Sequence, residues 1–408
     1  MRTSRGFGSV RNIHNSSISP RSSFESANNC NASPAIASNS ALLTVFQADP
    51  LVYAGEAGMG FHPVPVLDYE SERQLLMESL SDAHLKIDVL FDIATTERLG
   101  SFLAKGQGRV LHFSCHGHPE YLAIENGWGA MHKLPVEGLR DWIKAGGDNL
   151  LFVFVSACHS RAAGDAFVAA GVKHVVCCQR DDQRILNVSS VEFARAFYQV
   201  LANGLKLNDA FKLARETGQR CPHLDRNESR TEMEKFVLLP EDGDHNVKIF
   251  EPSTSPRSIL ELPSASMPSS PRTIILPIPP DIFEGRQVEI FRVLDALKRA
   301  RLVRVTGPVG IGKGSVVKHV CRYIQERQHI FLREISKMLW LPSSGPEDDF
   351  LSVFCSIFAS NSATTEEAYN RSQQQLMDNL YENKVLLVID ARKAQSVQSS
   401  KKIADFLD

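Results

Sequence analysis

Between Ala41 and Phe250, short apolar runs alternate with longer stretches in which apolar residues recur at every third or fourth position. ALLTVF, KIDVLF, RVLHFS, NLLFVFVS and KHVVCC have the length and the Val, Leu and Phe content of strands. ERQLLMESL, TERLGSFLAK, VEGLRDWIKA, GDAFVAAG and SVEFARAFYQVLANG have the spacing of helices with one buried face. The strands are nearly continuous in apolar residues, whereas a sheet with one wet face would alternate apolar and polar positions. This predicts an α/β fold, a mainly parallel sheet with helices on both faces. The pattern breaks at residues 251–281, where Pro and Ser crowd the chain and predict a linker. A second α/β unit is predicted over 282–408, with RLVRVT and KVLLVID as strands and VVKHVCRYIQE as a helix. Residues 1–40 are rich in Ser, Asn and Arg, with no acid before Glu25, and read as a disordered leader. The same composition suits an organelle transit peptide, and no cleavage signal separates the two readings.

Composition narrows the class. A hydrophobic content of 43% is enough for buried cores, and 408 residues suggest two globular domains. A net charge of -2 argues against a nucleic-acid binder, whose basic footprint would show in the total. No apolar run approaches the ~20 residues of a membrane-spanning helix. The eight cysteines are unevenly spaced and include the adjacent Cys177 and Cys178, unlike a secreted disulfide framework. A reducing, cytoplasmic setting is expected.

Chemistry enters where two predicted strands end. RVLHFS runs into Cys115, His116, Gly117 and His118, and NLLFVFVSA runs into Cys158 and His159. In an open parallel sheet, reactive groups gather at the carboxyl ends of the strands. If these strands are neighbours, His116 and Cys158 emerge at one edge. A thiol needs an imidazole or a positive field to become the reactive thiolate. Gly117 has no side chain to keep a substrate carbonyl from its N–H, which with the Cys158 N–H would form an oxyanion hole. A zinc site from Cys115, His116, His118, Cys158 and His159 is the alternative, although the paired CxxC spacing of structural zinc is missing. His112 within its strand, and Cys177 and Cys178 at the end of another, are read as packed core.

The second unit carries a phosphate-loop pattern, GPVGIGKGS, between a predicted strand and a predicted helix. Gly307, Gly310 and Gly312 would let successive N–H groups curl around phosphate, and Lys313 would reach the outer phosphates. The hydroxyl that ligates magnesium belongs directly after the lysine. Gly314 stands there, with Ser315 one position later. KVLLVID ends in Asp390, the expected magnesium partner, while Ala391 occupies the place of a second, water-orienting acid. ATP or ADP with magnesium is therefore the expected ligand, bound without efficient turnover.

Resemblance to known families extends these readings. LHFSCHGH resembles the His-Gly motif of the CHAT family, relatives of caspases and separases. FVFVSACHSRAAGDAFVAAGVKHVV resembles that family's cysteine segment. FARAFYQVLANGLKLNDAFKLARE and EKFVLLPEDGDHNVKIF resemble the helical pair and closing strands that follow, so the likeness spans 41–250 in the expected order. It implies a caspase-like fold, His116 as general base, Cys158 as nucleophile and Gly117 at the oxyanion hole. In related peptidases an acid after the fifth strand selects a basic residue, which points to Asp181 and Asp182. Asn187 stands where a further acid is expected, and QRDDQR reads equally as an exposed loop. From DIFEGRQVEIF onward the chain resembles the nucleotide domains of NB-ARC and NACHT proteins. The chain stops at Asp408, before any sensor or lid, so it reads as a truncated member. Together these imply a cysteine endopeptidase acting on protein or peptide, governed by a nucleotide switch that self-associates, in defence or programmed death. The alternatives are a catalytically silent, nucleotide-dependent scaffold and an ordinary NTPase.

Overall fold

The computed structural model describes residues 42–55, 59–85, 87–106, 108–179, 187–220, 225–251, 276–280, 283–331, 335, 337–341 and 384–390. All of these described residues belong to one compact unit.

The chain opens with β1 (Leu42–Gln47), the hairpin β2 (Val52–Ala54) and β3 (Phe61–Pro63), α1 (Tyr69–Ser81), β4 (Asp88–Ile93), α2 (Thr96–Lys105) and β5 (Val110–Ser114). A small antiparallel sheet follows: β6 (His116–His118), β7 (Tyr121–Glu125) and β8 (Met131–Pro135). Then come α3 (Val136–Gly146), β9 (Phe152–Ser156), α4 (Arg161–Ala169), β10 (His174–Cys178), α5 (Asn187–Ala202), α6 (Leu207–Gly218), α7 (Arg226–Glu234) and β11 (Phe236–Leu239).

The main sheet has six strands in the order β11-β10-β9-β5-β1-β4. All neighbours are parallel except β11, which runs antiparallel to β10. This is the expected caspase-like α/β arrangement. Strand winding reverses at β1, which makes the gap between the carboxyl ends of β1 and β5 the natural site of chemistry.

Both faces of the sheet are covered, for the reason the apolar runs suggested. Successive strand residues point to opposite faces. Phe152 and Phe154 enter one core with α1, α5 and α6, while Val153 and Val155 enter the other with α2, α3 and α4. Full burial of each such side chain contributes ~1.5–3 kcal/mol. Helix entries are fixed locally: Asp68 accepts from the Ser71 N–H ahead of α1, and Thr95 from the Arg98 N–H ahead of α2.

The C-terminal region contains α8 (Gln287–Arg299), α9 (Lys313–Glu326), the single turn α10 (Gln328–Phe331), β12 (Lys337–Leu341) and β13 (Val385–Ile389). One expectation fails here. RLVRVT is not a strand, and Leu302 is 62% exposed. Arg301 and Arg304 interrupt the run, and no strand pairs with it among the described residues. The parallel partner of β13 is β12, which hydropathy alone did not single out. The core of this region, with Ile290, Leu294, Val320, Ile324 and Phe331, also takes in Leu51 and Trp128 from the other side of the linker.

Candidate functional site

β5 and β9 are adjacent, parallel and in register at Ser114 and Ser156. Beyond that pair the Cys115 N–H donates to the Ser156 carbonyl at 3.3 Å, so the chains remain side by side as they leave the sheet. Two residues beyond that pair on each chain come His116 and Cys158, both half-buried. Cys115 between them faces the core, where burial pushes its thiol up to about 12. Burial also pushes Cys177 up to about 12, Cys178 well above the usual thiol range and Cys321 up to about 11. Among the described cysteines, Cys158 is the one that is not buried.

The turn after β9 is tight. His159 has φ of 52°, a left-handed conformation that costs a non-glycine residue ~1–2 kcal/mol. Two residues later α4 begins. Ser160 anchors the turn: its Oγ donates to the Val155 carbonyl at 3.1 Å and accepts from the Cys178 N–H at 3.0 Å. Cys158 thus sits on a sharp strand-to-helix turn, close to the N-terminus of α4.

Gly117 is required for a reason the sequence reading missed. A Cβ there would lie 1.9 Å from the Cys158 carbonyl oxygen and 3.1 Å from the Ala157 Cβ. Only glycine lets β6 pass this close to the Cys158 peptide. The residue therefore sets the approach of the two strand ends, whatever its N–H does.

His116 is oriented from outside the sheet. Its Nε2 lies 2.7 Å from the Pro65 carbonyl oxygen, which only accepts, so Nε2 carries the proton and donates. In the neutral ring Nδ1 then holds the lone pair. Pro65 belongs to the loop between β3 and α1, so the segment following β1 and the end of β5 meet across the winding reversal.

Beneath the site lies a buried polar network. The Ser114 Oγ donates to Glu72 Oε2 at 2.5 Å and Gln47 Nε2 donates to the same oxygen at 3.4 Å. His112 Nε2 lies 3.4 Å from Glu72 Oε1 without hydrogen-bond alignment, and its Nδ1 is 3.0 Å from the Tyr198 hydroxyl. Burial opposes the Glu72 charge, but His112, Ser114 and Gln47 hold its carboxyl below the usual range. His112 is the interior residue expected. Glu72 was not anticipated, because one carboxylate in a helical pattern reads as a solvated face.

Other expected residues divide. Asp181, Asp182 and Ala391 lie outside the described residues, and Asn187 opens α5. Cys177 and Cys178 pack as expected; Gly164 of α4 comes so close that a Cβ would be 2.6 Å from the Cys177 sulfur. Among the described residues no three His, Cys, Asp or Glu side chains converge as metal ligands, so the zinc alternative has no ligand set there. None of the described helices is long and apolar enough to cross a membrane.

The phosphate-loop residues form an open turn. Gly307, Gly310 and Gly312 have φ of 152°, 81° and 91°, and Gly312 precedes the first residue of α9, Lys313. A Cβ at Gly310 or Gly312 would meet nothing within 4 Å, leaving room for a ligand against the backbone. Lys313 Nζ donates to the Gly307 and Pro308 carbonyls, 2.8 Å each. Gly314 and Ser315 lie in the first turn of α9, and Asp390 follows β13. The residues present fit a phosphate cradle.

No curated protein matches the chain. Among solved structures, an ADP complex of Bacillus subtilis pyridoxal kinase is 11% identical over 44% of this chain and 90% of that one. Its TM-score of 0.23 is too low to carry an argument. A family model described as the CHAT domain matches residues 8–257.

Proposed function

The chain belongs to the CHAT domain family, and from that premise we propose that it is a cysteine endopeptidase whose nucleophile is Cys158 and whose general base is His116. The observation that carries this reading is the contrast among cysteines. Cys158 is half-exposed at a strand end beside His116, while the other described thiols are buried and held protonated. In the proposed step His116 Nδ1 takes the Cys158 thiol proton as Sγ attacks the scissile peptide carbonyl. The N–H groups of Gly117 and Cys158 would receive the resulting oxyanion. The imidazolium then returns the proton to the leaving amine, giving a thioester that water hydrolyses with His116 again as base. Fixed by the Pro65 carbonyl, the ring needs no tautomer change to present Nδ1. Asp181 and Asp182 are proposed to select a basic residue before the scissile bond.

The test is labelling by a thiol-directed peptide electrophile. Cys158 should react in preference to the other cysteines, and His116→Ala should slow labelling by about 10²- to 10⁴-fold with the fold intact. Equal labelling of both proteins would leave a scaffold that binds partners without cutting.

The C-terminal region is proposed as the regulatory module, binding ATP or ADP through the amides of Gly307, Gly310, Gly312 and Gly314 and through Lys313. The open backbone around Gly310 and Gly312 supports this. Magnesium, where bound, would fall to Ser315 and Asp390 and would neutralise phosphate charge. The defence or cell-death setting, self-association through this region and a cytoplasmic location belong to the same proposal.

A further inference from the structure

Pro65, whose carbonyl orients His116, lies in the irregular stretch 64–68, so that carbonyl is only as well placed as the contacts around it. On the near side the Val64 N–H donates to the Leu51 carbonyl at 3.0 Å, and the Leu67 N–H donates to Asp49 Oδ1 at 3.3 Å. On the far side the stretch runs into Tyr69 and Glu70. The Tyr69 hydroxyl donates to Glu326 Oε2 at 2.8 Å, and Glu70 pairs with Arg322 at 2.7 Å. Glu326 and Arg322 both belong to α9, the helix that begins at Lys313.

The same end of α9 reaches Asp49 through Glu125 of β7. Arg327, 1% exposed, donates from Nε and Nη2 to the two oxygens of Glu125, each at 2.9 Å. The Tyr323 hydroxyl donates to Glu125 Oε2 at 2.8 Å, and the Asp49 N–H to Glu125 Oε1 at 3.0 Å. The guanidinium also stacks 3.7 Å above the Tyr323 ring. A carboxylate and a guanidinium this deeply buried depend on each other, because either alone would be an uncompensated charge away from water. The outer pair of Arg322 and Glu70 is solvated and contributes little. Burial pushes the Asp49 carboxyl up to about 7, against the opposing effect of Arg327, which marks how far this junction is removed from solvent.

We propose that Arg327 is a positioning residue for His116: by pairing with Glu125 at the end of α9 it fixes Asp49, and with it the loop that presents the Pro65 carbonyl to the imidazole. The C-terminal region thereby acts on the site through a rigid helix and not through the linker. This rests on the reading of His116 as the general base, but its structural half can be tested apart from reactivity.

The experiment uses the full chain with nitrogen-15 histidine. Imidazole resonances of His116 are identified by their loss in His116→Gln. The parent should show His116 as the Nε2–H tautomer. Arg327→Met should give a mixture of tautomers, and labelling of Cys158 should slow by about 10-fold at saturating electrophile while half-saturation stays unchanged. A partial loss of the general base's contribution is expected to fall below the full 10²- to 10⁴-fold. Arg327→Lys should restore part of both signals, since lysine keeps the charge but not the two-point contact. If Arg327→Met does not fold, Tyr323→Phe and Arg327→Lys carry the comparison, with smaller changes in the same direction. An unchanged Nε2–H tautomer in folded variants overturns the proposal. If the parent's Cys158 does not label at all, the peptidase reading fails, and the tautomer measurement still decides whether Arg327 positions His116.

Discussion

β9 and β13 begin as similar sequences, NLLFVFVS and KVLLVID, and end in different circumstances. β9 is hydrogen-bonded to β5 and β10, and every one of its residues is buried. β13 pairs with β12 among the described residues, and each of its positions is half-exposed. An apolar run specifies a strand, but the elements packed on either side decide how much the strand stabilises. The two candidate sites inherit this contrast. Cys158 and His116 each follow a strand locked into the main sheet, β9 and β5. The phosphate loop lies between a largely exposed segment without regular structure and a helix.

The comparison breaks most sharply on core truncation. Phe154→Ala should cost ~3–5 kcal/mol, read from the midpoint of denaturant unfolding. Leu387→Ala in β13 should cost no more than ~2 kcal/mol, because it starts half-exposed. Equal losses would mean that both sheets are embedded alike.

Next in size is loss of the Arg327 guanidinium. Arg327→Met should destabilise by ~3–5 kcal/mol, since it leaves Glu125 charged and unpaired in the interior. Arg327→Met with Glu125→Leu should recover much of that loss, as an apolar pair of similar volume often does. Failure of the double variant to recover would show that Asp49 and Tyr323 need the Glu125 carboxylate itself.

Nucleotide should reveal the looser region. ATP at about 100 times its Kd should stabilise the parent by ~2.7 kcal/mol, and Lys313→Ala should abolish that shift in thermal unfolding. Thr at position 314, made as Gly314→Thr, should increase the magnesium dependence of the shift. ATP hydrolysis by the parent at an ordinary NTPase rate would refute the expected effect of Gly314 and Ala391.

The smallest effect concerns acid. His174 Nδ1 lies 2.9 Å from His245 Nδ1, and His245 Nε2 donates to the Pro240 carbonyl at 2.9 Å. His245 Nδ1 must then accept, and His174 Nδ1 donates. Burial, with His245 nearby, pushes His174 down to about 4 from 6.5. A depressed folded-state value means this stability is present above pH 6.5 and lost as pH falls toward 4. The loss should be on the order of 1 kcal/mol, and His174→Gln should flatten the slope over that window. An unchanged slope would assign acid sensitivity elsewhere, as to His319, which burial also lowers.

How much of this was legible varies with the range of the interactions. The central strands and the helices around them were readable because periodicity is local, and His116 and Cys158 followed from where those strands end. The short strands β2, β3, β6, β7 and β8 were not, since three to five residues with interspersed polar groups, as in MHKLP, give no clear period. Gly117 was singled out for its N–H, while the contact that demands glycine comes from the turn that follows another strand. Glu72, Glu125 and Arg327 carried almost no signal. The one hint was that Glu125 directly closes the apolar run YLAI, an unusual place for an unpaired acid. Its partner lies 202 positions away, where nothing in the local pattern separates Arg327 from the solvated Arg322.

The Arg327 and Glu125 pair bears on how such chains are inherited. The Pro- and Ser-rich stretch would suit recombination, which joins ready-made parts through tolerant connectors. Yet a peptidase-like half moved alone would carry a buried carboxylate lacking its counter-charge, with Leu51 and Trp128 stripped of their cover. A new C-terminal companion would have to supply a guanidinium at that one position or arrive together with a change at Glu125. Exchange at the connector is thus filtered by a single charge pair, and descendants of this architecture should keep or lose Glu125 and Arg327 together.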